Sequence, residues 1–116
     1  MFTLNRFNNI ENLQKYKHIH MIGIGGISMS GIAEILHSWG IYVTGSDCTK
    51  SKITDRLSSH GIYVSIGHDT KLVEDADLAI YSAAVKQDDP ELIAAHDKNI
   101  EIIERADFVR IFNQSL

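Results

Sequence analysis

The sequence predicts an α/β fold: a single Rossmann-like domain built on a doubly wound parallel sheet of about five strands. Short runs rich in Ile, Val and Tyr alternate with helix-patterned segments along the 116 residues. Strands separated by helices need crossover connections, which make the sheet parallel and cover both of its faces. The runs are largely apolar at consecutive positions, as in strands buried on both sides. The first run feeds directly into Gly23-Ile24-Gly25-Gly26-Ile27-Ser28 and a helical pattern, the arrangement in which a strand delivers an anion to a helix N-terminus.

Residues 1–16 read as a leading segment, with Asn9 placed to cap a short helix over Ile10–Tyr16. The first strand is predicted over His18–Ile22. A helix follows over Ser28–Trp39, with Met29, Ile32, Ala33, Ile35 and Leu36 as its apolar residues and Gly40 as its stop. The second strand spans Tyr42–Gly45. Ser51–His60 is the next helix, with Ile53 and Leu57 four apart on one face and Gly61 ending it. Tyr63–Ile66 forms the third strand, and Leu72 and Val73 mark a short turn before the fourth, Leu78–Ser82. Asp89-Pro90 sets a capping residue before the helical position that proline favours, opening a helix over Pro90–Lys98 that stops at Asn99. Glu101–Ile103 is the fifth strand, and Arg105–Phe112 a final apolar-striped helix. In such sheets ligands lie beyond the carboxyl ends of the strands where strand order reverses. The glycine turn after the first strand is therefore the expected site.

Composition narrows the function. Hydrophobic residues make up 44% and charged residues 22%, as in a globular domain. The net charge of -4 comes with scattered Lys and Arg, which argues against a nucleic-acid partner, since phosphate-backbone binding needs clustered positive charge. The one cysteine, Cys48, excludes an internal disulfide and suits a reducing compartment. No apolar run approaches the roughly 20 residues of a membrane span. These observations lead to an expected cytoplasmic location with no membrane partner.

Each motif carries a functional reading beside a plainer one. The backbone amides around Gly25 and Gly26 are expected to converge on a diphosphate, with glycine letting the chain come close; the plainer reading is a tight strand-to-helix turn. Ser28 occupies the third position of a G-x-G-x-x-G pattern. Ser28 and Ser30 are candidate hydroxyl donors to phosphate, with Ser28 also a candidate helix cap and Met29 a core residue. Asp47, 24 residues after Gly23, stands where an acid accepts from a ribose, or where it caps the helix beginning near Ser51. His68 is a candidate base or ribose contact, or part of a capped turn, and Ser82-Ala83-Ala84 leaves room for a ligand or for close helix packing. His18 and His20 share one face of a strand with no Cys or carboxylate at ligand spacing, so no metal site is expected. Glu74, Asp75 and Asp77 read as a solvated turn. There is no G-x-x-x-x-G-K-[ST] loop and no nucleophile elbow, so no catalytic residue is assigned.

The string from Gly23 through Ser30 to Gly31-Ile32-Ala33, followed in order by Gly45-Ser46-Asp47, Gly67-His68, Ser82-Ala83-Ala84 and Pro90-Glu91, resembles a known family. It is similar to the N-terminal domain of the UDP-N-acetylmuramate–L-alanine ligases of the Mur ligase family, over about Lys17 to Phe112. The resemblance implies a three-domain cytoplasmic enzyme of peptidoglycan synthesis. Such an enzyme joins L-alanine to the lactyl carboxyl of UDP-N-acetylmuramate through an acyl-phosphate, using ATP and magnesium. The ATP-binding central domain and the amino-acid domain would lie outside this chain. The chain alone would then be inactive, bind no cofactor, and hold the UDP part of the nucleotide sugar. On this resemblance Gly23, Gly25, Gly26, Ile27, Ser28, Met29 and Ser30 hold the diphosphate, Asp47 and His68 meet the uridine, and Ser82 lines the pocket. Ala83 replaces a second serine common in the family, and Asp89 replaces an asparagine. Three alternatives stand beside it: the related ligase that adds a tripeptide to the same nucleotide sugar, the NAD-binding domain of a dehydrogenase, and a nucleotide-sensing module. Ser28 in the third glycine position counts against NAD.

Overall fold

A computed structural model describes residues 16–115, and side chains as far as Ile111. The helix expected over Ile10–Tyr16 lies almost wholly outside the described residues. Within them the chain runs β1 (His18–Ile22), α1 (Ile27–Ser38), β2 (Tyr42–Asp47), α2 (Lys52–Ser59), β3 (Tyr63–Ile66), α3 (Thr70–Glu74), β4 (Leu78–Tyr81), α4 (Pro90–Asp97), β5 (Glu101–Glu104) and α5 (Arg105–Ser115). The strands form one parallel sheet in the order β3-β2-β1-β4-β5. This is the predicted α/β architecture. Strand order reverses between β1 and β4, so a crevice opens there at the carboxyl edge.

Burial on both faces explains the apolar strands. Ile19 and Met21 of β1 pack with Met29, Ile32 and Leu36 of α1, Leu57 of α2 and Phe108 of α5. Ile22 faces the other way, with Val73 of α3, Leu92 and Ala95 of α4, and Ile102 of β5. The predicted punctuation holds. Gly40 and Gly61 end α1 and α2 at φ +85° and +92°, and Asn99 follows α4 at φ +58°, the left-handed conformation that ends helices. Ser51 caps α2 in a capping box with Thr54, and Asp89 caps α4 ahead of Pro90.

Differences from the expected boundaries have local causes. α1 starts one residue early because Gly26, not Ser28, occupies its N-cap. β2 continues past Gly45 to Asp47 because Ser46 and Asp47 still pair with Ser65 and Ile66 of β3. The acidic turn before β4 is not wholly solvated: Asp77 Oδ2 accepts from the amides of Lys17 and His18 at 2.7 and 2.9 Å, pinning the start of β1.

Gly45 sits under the chain that leaves β1. A Cβ there would fall 2.4 Å from Ile24 Cδ1 and 2.7 Å from Ile24 Cβ, and Ile24 is fully buried. Gly45→Ala is expected to cost about 1–3 kcal/mol of stability through overpacking. Urea denaturation checks this, and an unchanged midpoint would contradict the tight packing.

Candidate functional site

The glycine loop is tied to β2 along its length. The amides of Gly23 and Ile24 both donate to Ser46 O, at 2.9 and 3.0 Å. Gly23 adopts φ +83°, and a Cβ on it would meet Ser82 Oγ at 3.1 Å, so glycine is required there on two counts. Gly25 N donates to Asp47 Oδ2 at 2.8 Å, and Gly26 N to Gly23 O at 3.3 Å. The expectation for these two amides is therefore corrected: Gly25 N is tied to the end of β2 and Gly26 N to the loop's own Gly23 carbonyl. The helix ladder begins only with Ser30 N, which donates to Gly26 O at 2.8 Å. The amides of Ile27, Ser28 and Met29 thus have no acceptor among the described residues, as the first turn of a helix requires.

Other expected contacts sort themselves by position. Ser30 is buried and its hydroxyl donates to Ile27 O at 3.0 Å, so neither its hydroxyl nor its amide faces a ligand; this also corrects the expectation. Ser28 is exposed and does not cap α1; its Oγ accepts from Arg105 Nη1 at 3.2 Å. Met29 is core, 1% exposed. Asp47 does not cap α2, since Ser51 does. Its Oδ2 holds Gly25 and its Oδ1 accepts from Thr49 N at 3.2 Å, which leaves lone pairs on both oxygens. Ser82 Oγ accepts from Ala84 N at 3.2 Å.

Gly23, Gly26, Asp47, His68 and Ser82 line one open cleft of about 760 Å³ at the carboxyl ends of β1 to β4. The fold adds residues that the motif reading passed over. Lys86, in the β4–α4 loop, lines the cleft exposed and with no ion pair among the described residues. Nothing in its sequence context marks it. Glu91 also borders the cleft, yet its side chain has no solvent exposure. The Pro90-Glu91 pair was a signal only as one string of the family resemblance, with no role assigned to Glu91.

Glu91 collects donors from β1, from β2 and from the loop after β3. His20 Nε2 lies 2.6 Å from its Oε1, Ser46 Oγ donates to both oxygens at 2.9 and 2.8 Å, and His68 Nδ1 lies 3.0 Å from Oε2. A carboxylate only accepts, so both ring nitrogens carry hydrogen. Behind them Thr44 Oγ1 stands between His20 Nδ1 at 2.8 Å and His18 Nε2 at 2.7 Å. Burial pushes the Glu91 carboxyl up, but the hydrogen bonds from His20, His68 and Ser46 outweigh it and leave it below its ordinary 4.5. His68 is held above its ordinary 6.5, chiefly by the hydrogen bond to Glu91, which with the charges of Asp89 and Glu91 outweighs desolvation. Burial lowers His18, partly offset by its backbone hydrogen bond to Asp75. The ligand atoms of His68, Asp89 and Glu91 lie within 4.8 Å of one another, a grouping the linear spacing did not reveal; the His68–Glu91 hydrogen bond occupies its centre.

Comparison with known proteins bears on this geometry. The model of the Mur ligase family, catalytic domain, matches residues 18–114. The chain belongs to the Mur ligase family. It is 50% identical over 103 residues to a UDP-N-acetylmuramate–L-alanine ligase of Clostridium botulinum, covering 89% of this chain and 22% of that relative. The crystal structure of the UDP-N-acetylmuramate–alanine ligase of Thermotoga maritima matches with a TM-score of 0.77 and 36% identity, over 82% of this chain and 22% of that one. The crystal structure of the UDP-N-acetylmuramate:L-alanyl-γ-D-glutamyl-meso-diaminopimelate ligase of Neisseria meningitides matches with a TM-score of 0.71 and 29% identity, over 80% of this chain and 30% of that one. The chain thus spans about a fifth of the length of the L-alanine ligases it matches. Among its described residues no helix is long and apolar enough to cross a membrane.

In this Mur ligase chain Glu91 should dominate local stability. Glu91→Ala leaves His20 and Ser46 buried without their acceptor and is expected to cost about 3–5 kcal/mol at neutral pH. Because Glu91 is held below 4.5, its contribution is full above that value and is lost as pH falls through the folded-state value. The stability gap between wild type and variant should therefore narrow in acid. Chemical denaturation at neutral pH and in acid well below pH 4.5 measures both, and a gap unchanged there would contradict the assignment.

Proposed function

We propose that this chain is the UDP-binding N-terminal domain of a UDP-N-acetylmuramate–L-alanine ligase, and that its cleft holds the UDP part of the nucleotide sugar. The observation that carries the reading is the trio of acceptor-free amides at Ile27, Ser28 and Met29, which follow the cleft-lining Gly26 at the β1/β4 switch point. Amide hydrogens and the positive end of the helix dipole favour a diphosphate there. Gly23, Gly25 and Gly26 let the backbone pass close, and Lys86 adds a cation. Asp47 keeps lone pairs for the ribose hydroxyls, His68 contacts the uridine, and Ser82 borders the pocket. The L-alanine ligases matched at 50% and 36% identity support this choice of substrate over the tripeptide-adding relative.

The reaction assigned to the whole enzyme is ATP-dependent amide formation between L-alanine and the lactyl carboxyl, in the cytoplasm, for peptidoglycan synthesis. ATP and magnesium do not fit this chain's residues, because it carries no G-x-x-x-x-G-K-[ST] loop. They are assigned to a central domain, L-alanine to a further one, and no step of this chain's work runs through them. Its task is to bind and orient.

UDP-N-acetylmuramate is expected to raise the melting temperature of the 116-residue chain, and NAD to leave it unchanged. Mass action makes the gain about 2.7 kcal/mol at 100 times Kd. Stabilisation by NAD with indifference to the UDP-sugar would reverse the assignment. Asp47→Ala should weaken UDP-sugar binding by roughly 1–3 kcal/mol, since it removes a charged acceptor. Calorimetric titration decides this, and unchanged affinity would limit Asp47 to its loop contacts.

A further inference from the structure

Glu91 presents a question that a local role does not answer. Its side chain is 0% exposed, so it does not act by reaching into solvent. A turn or helix start would be served as well by an apolar residue, without the desolvation that a buried carboxylate brings. Yet His20 from β1, Ser46 from β2 and His68 from the loop after β3 all converge on it. Two of these donors are themselves buried; His68 alone is open to the cleft, its side chain 54% exposed.

The His68 ring is fixed by its Nδ1. That atom lies 3.0 Å from Glu91 Oε2 and 3.7 Å from Asp89 Oδ2, while Nε2 has no partner among the described residues. Because Glu91 only accepts, Nδ1 keeps its hydrogen in either charge state, and Nε2 is the nitrogen whose hydrogen comes and goes. A carboxylate behind a histidine sets ring orientation and basicity together. His20 and Ser46 in turn hold the carboxylate still, so the ring's orientation is anchored to β1 and β2 rather than to its own loop.

We propose that Glu91 is a positioning residue: its carboxylate holds His68 by Nδ1 and turns Nε2 to the cleft, where Nε2–H of the protonated ring donates to an oxygen of the bound nucleotide. The affinity of the cleft for its nucleotide then falls as pH rises through the titration of His68. The proposal rests on the reading of the cleft as a UDP site. The charged groups sharing the cleft wall with His68 are Glu91 and Asp89 at the start of α4, Asp47 at the end of β2, and Lys86 and Asp88 of the β4–α4 loop. Around His68 the two nearest, Glu91 and Asp89, are both acidic, which favours the protonated ring.

Two measurements on the 116-residue chain test this. The first needs no ligand: nitrogen-15 NMR of the His68 ring should show the Nδ1–H tautomer and a titration midpoint above 6.5. Glu91→Gln should lower the midpoint and mix the tautomers. The second is calorimetric titration with UDP-N-acetylmuramate at pH 6 and pH 8, a range in which the ligand's diphosphate diester does not titrate. Wild-type affinity should fall roughly ten-fold, the worth of one charged hydrogen bond. Glu91→Gln should weaken binding at pH 6 and flatten the pH dependence. A wild-type affinity equal at the two pH values, or a Glu91→Gln ring that titrates as wild type, overturns the proposal. Should Glu91→Gln fail to fold, His68→Gln decides: loss of the pH dependence supports the proposal, and its retention overturns it. No binding at either pH, with the ring still responding to Glu91→Gln, sinks the UDP reading and supports the positioning role by itself.

Discussion

The carboxylate of Glu91 is the interaction on which the carboxyl edge of this sheet depends. A buried charge is tolerated only when its lone pairs are filled, and here the donors come from residues far apart in sequence. His20 lies in the middle of β1, Ser46 near the end of β2 and His68 in the loop after β3, and Glu91 itself opens a helix on the far side of the β1/β4 reversal. One side chain therefore ties the start of α4 to the β1–β3 half of the sheet. Asp89, two residues earlier, holds the turn in place by accepting from the amides of Glu91 and Leu92. Disturbing that cap would shift the carboxylate, and with it the wall of the cleft.

Asp47 plays the corresponding part on the other wall. It draws Gly25 N toward the end of β2, while Ser46 O takes the amides of Gly23 and Ile24. The loop is thereby held open in one conformation. This division of labour explains why so many glycines are needed: Gly23 for its left-handed φ and its approach to Ser82, Gly25 because a Cβ would meet Asp47 Oδ2 at 2.7 Å. The hydrogen bonds that shape the loop use the glycine amides. The amides left without an acceptor belong to the next three residues, at the positive end of α1. The L-alanine ligase this chain resembles carries the matching segment in a polypeptide several times longer.

Much of this architecture was legible in the linear sequence because it rests on local chemistry. Consecutive apolar residues in β4, and Met21-Ile22 at the end of β1, reported burial on both faces. Gly40, Gly61 and Asn99 reported helix ends because few other residues accept a positive φ, and Asp89-Pro90 reported a helix start. Gly23, Gly26, Asp47, His68 and Ser82 all reached the cleft, as strand-end positions in such a sheet must. The errors came where two residues compete for one role. Ser28 and Gly26 were both able to cap α1, and the chain's exit from β1 decided between them. Ser30 read as a ligand contact from its place in a motif, but helical periodicity turns it inward, one residue past the free amides.

What sequence alone determined was the order of elements, the both-sided core and the location of the cleft, since each follows from periodicity, capping and the geometry of parallel crossovers. Only the tertiary structure decided which amides stay free, that Asp47 holds the loop, and that Glu91 unites His20, Ser46 and His68. Those pairings join residues 22 to 71 positions apart, and no spacing rule encodes a hydrogen bond formed when strands that are distant along the chain are brought side by side.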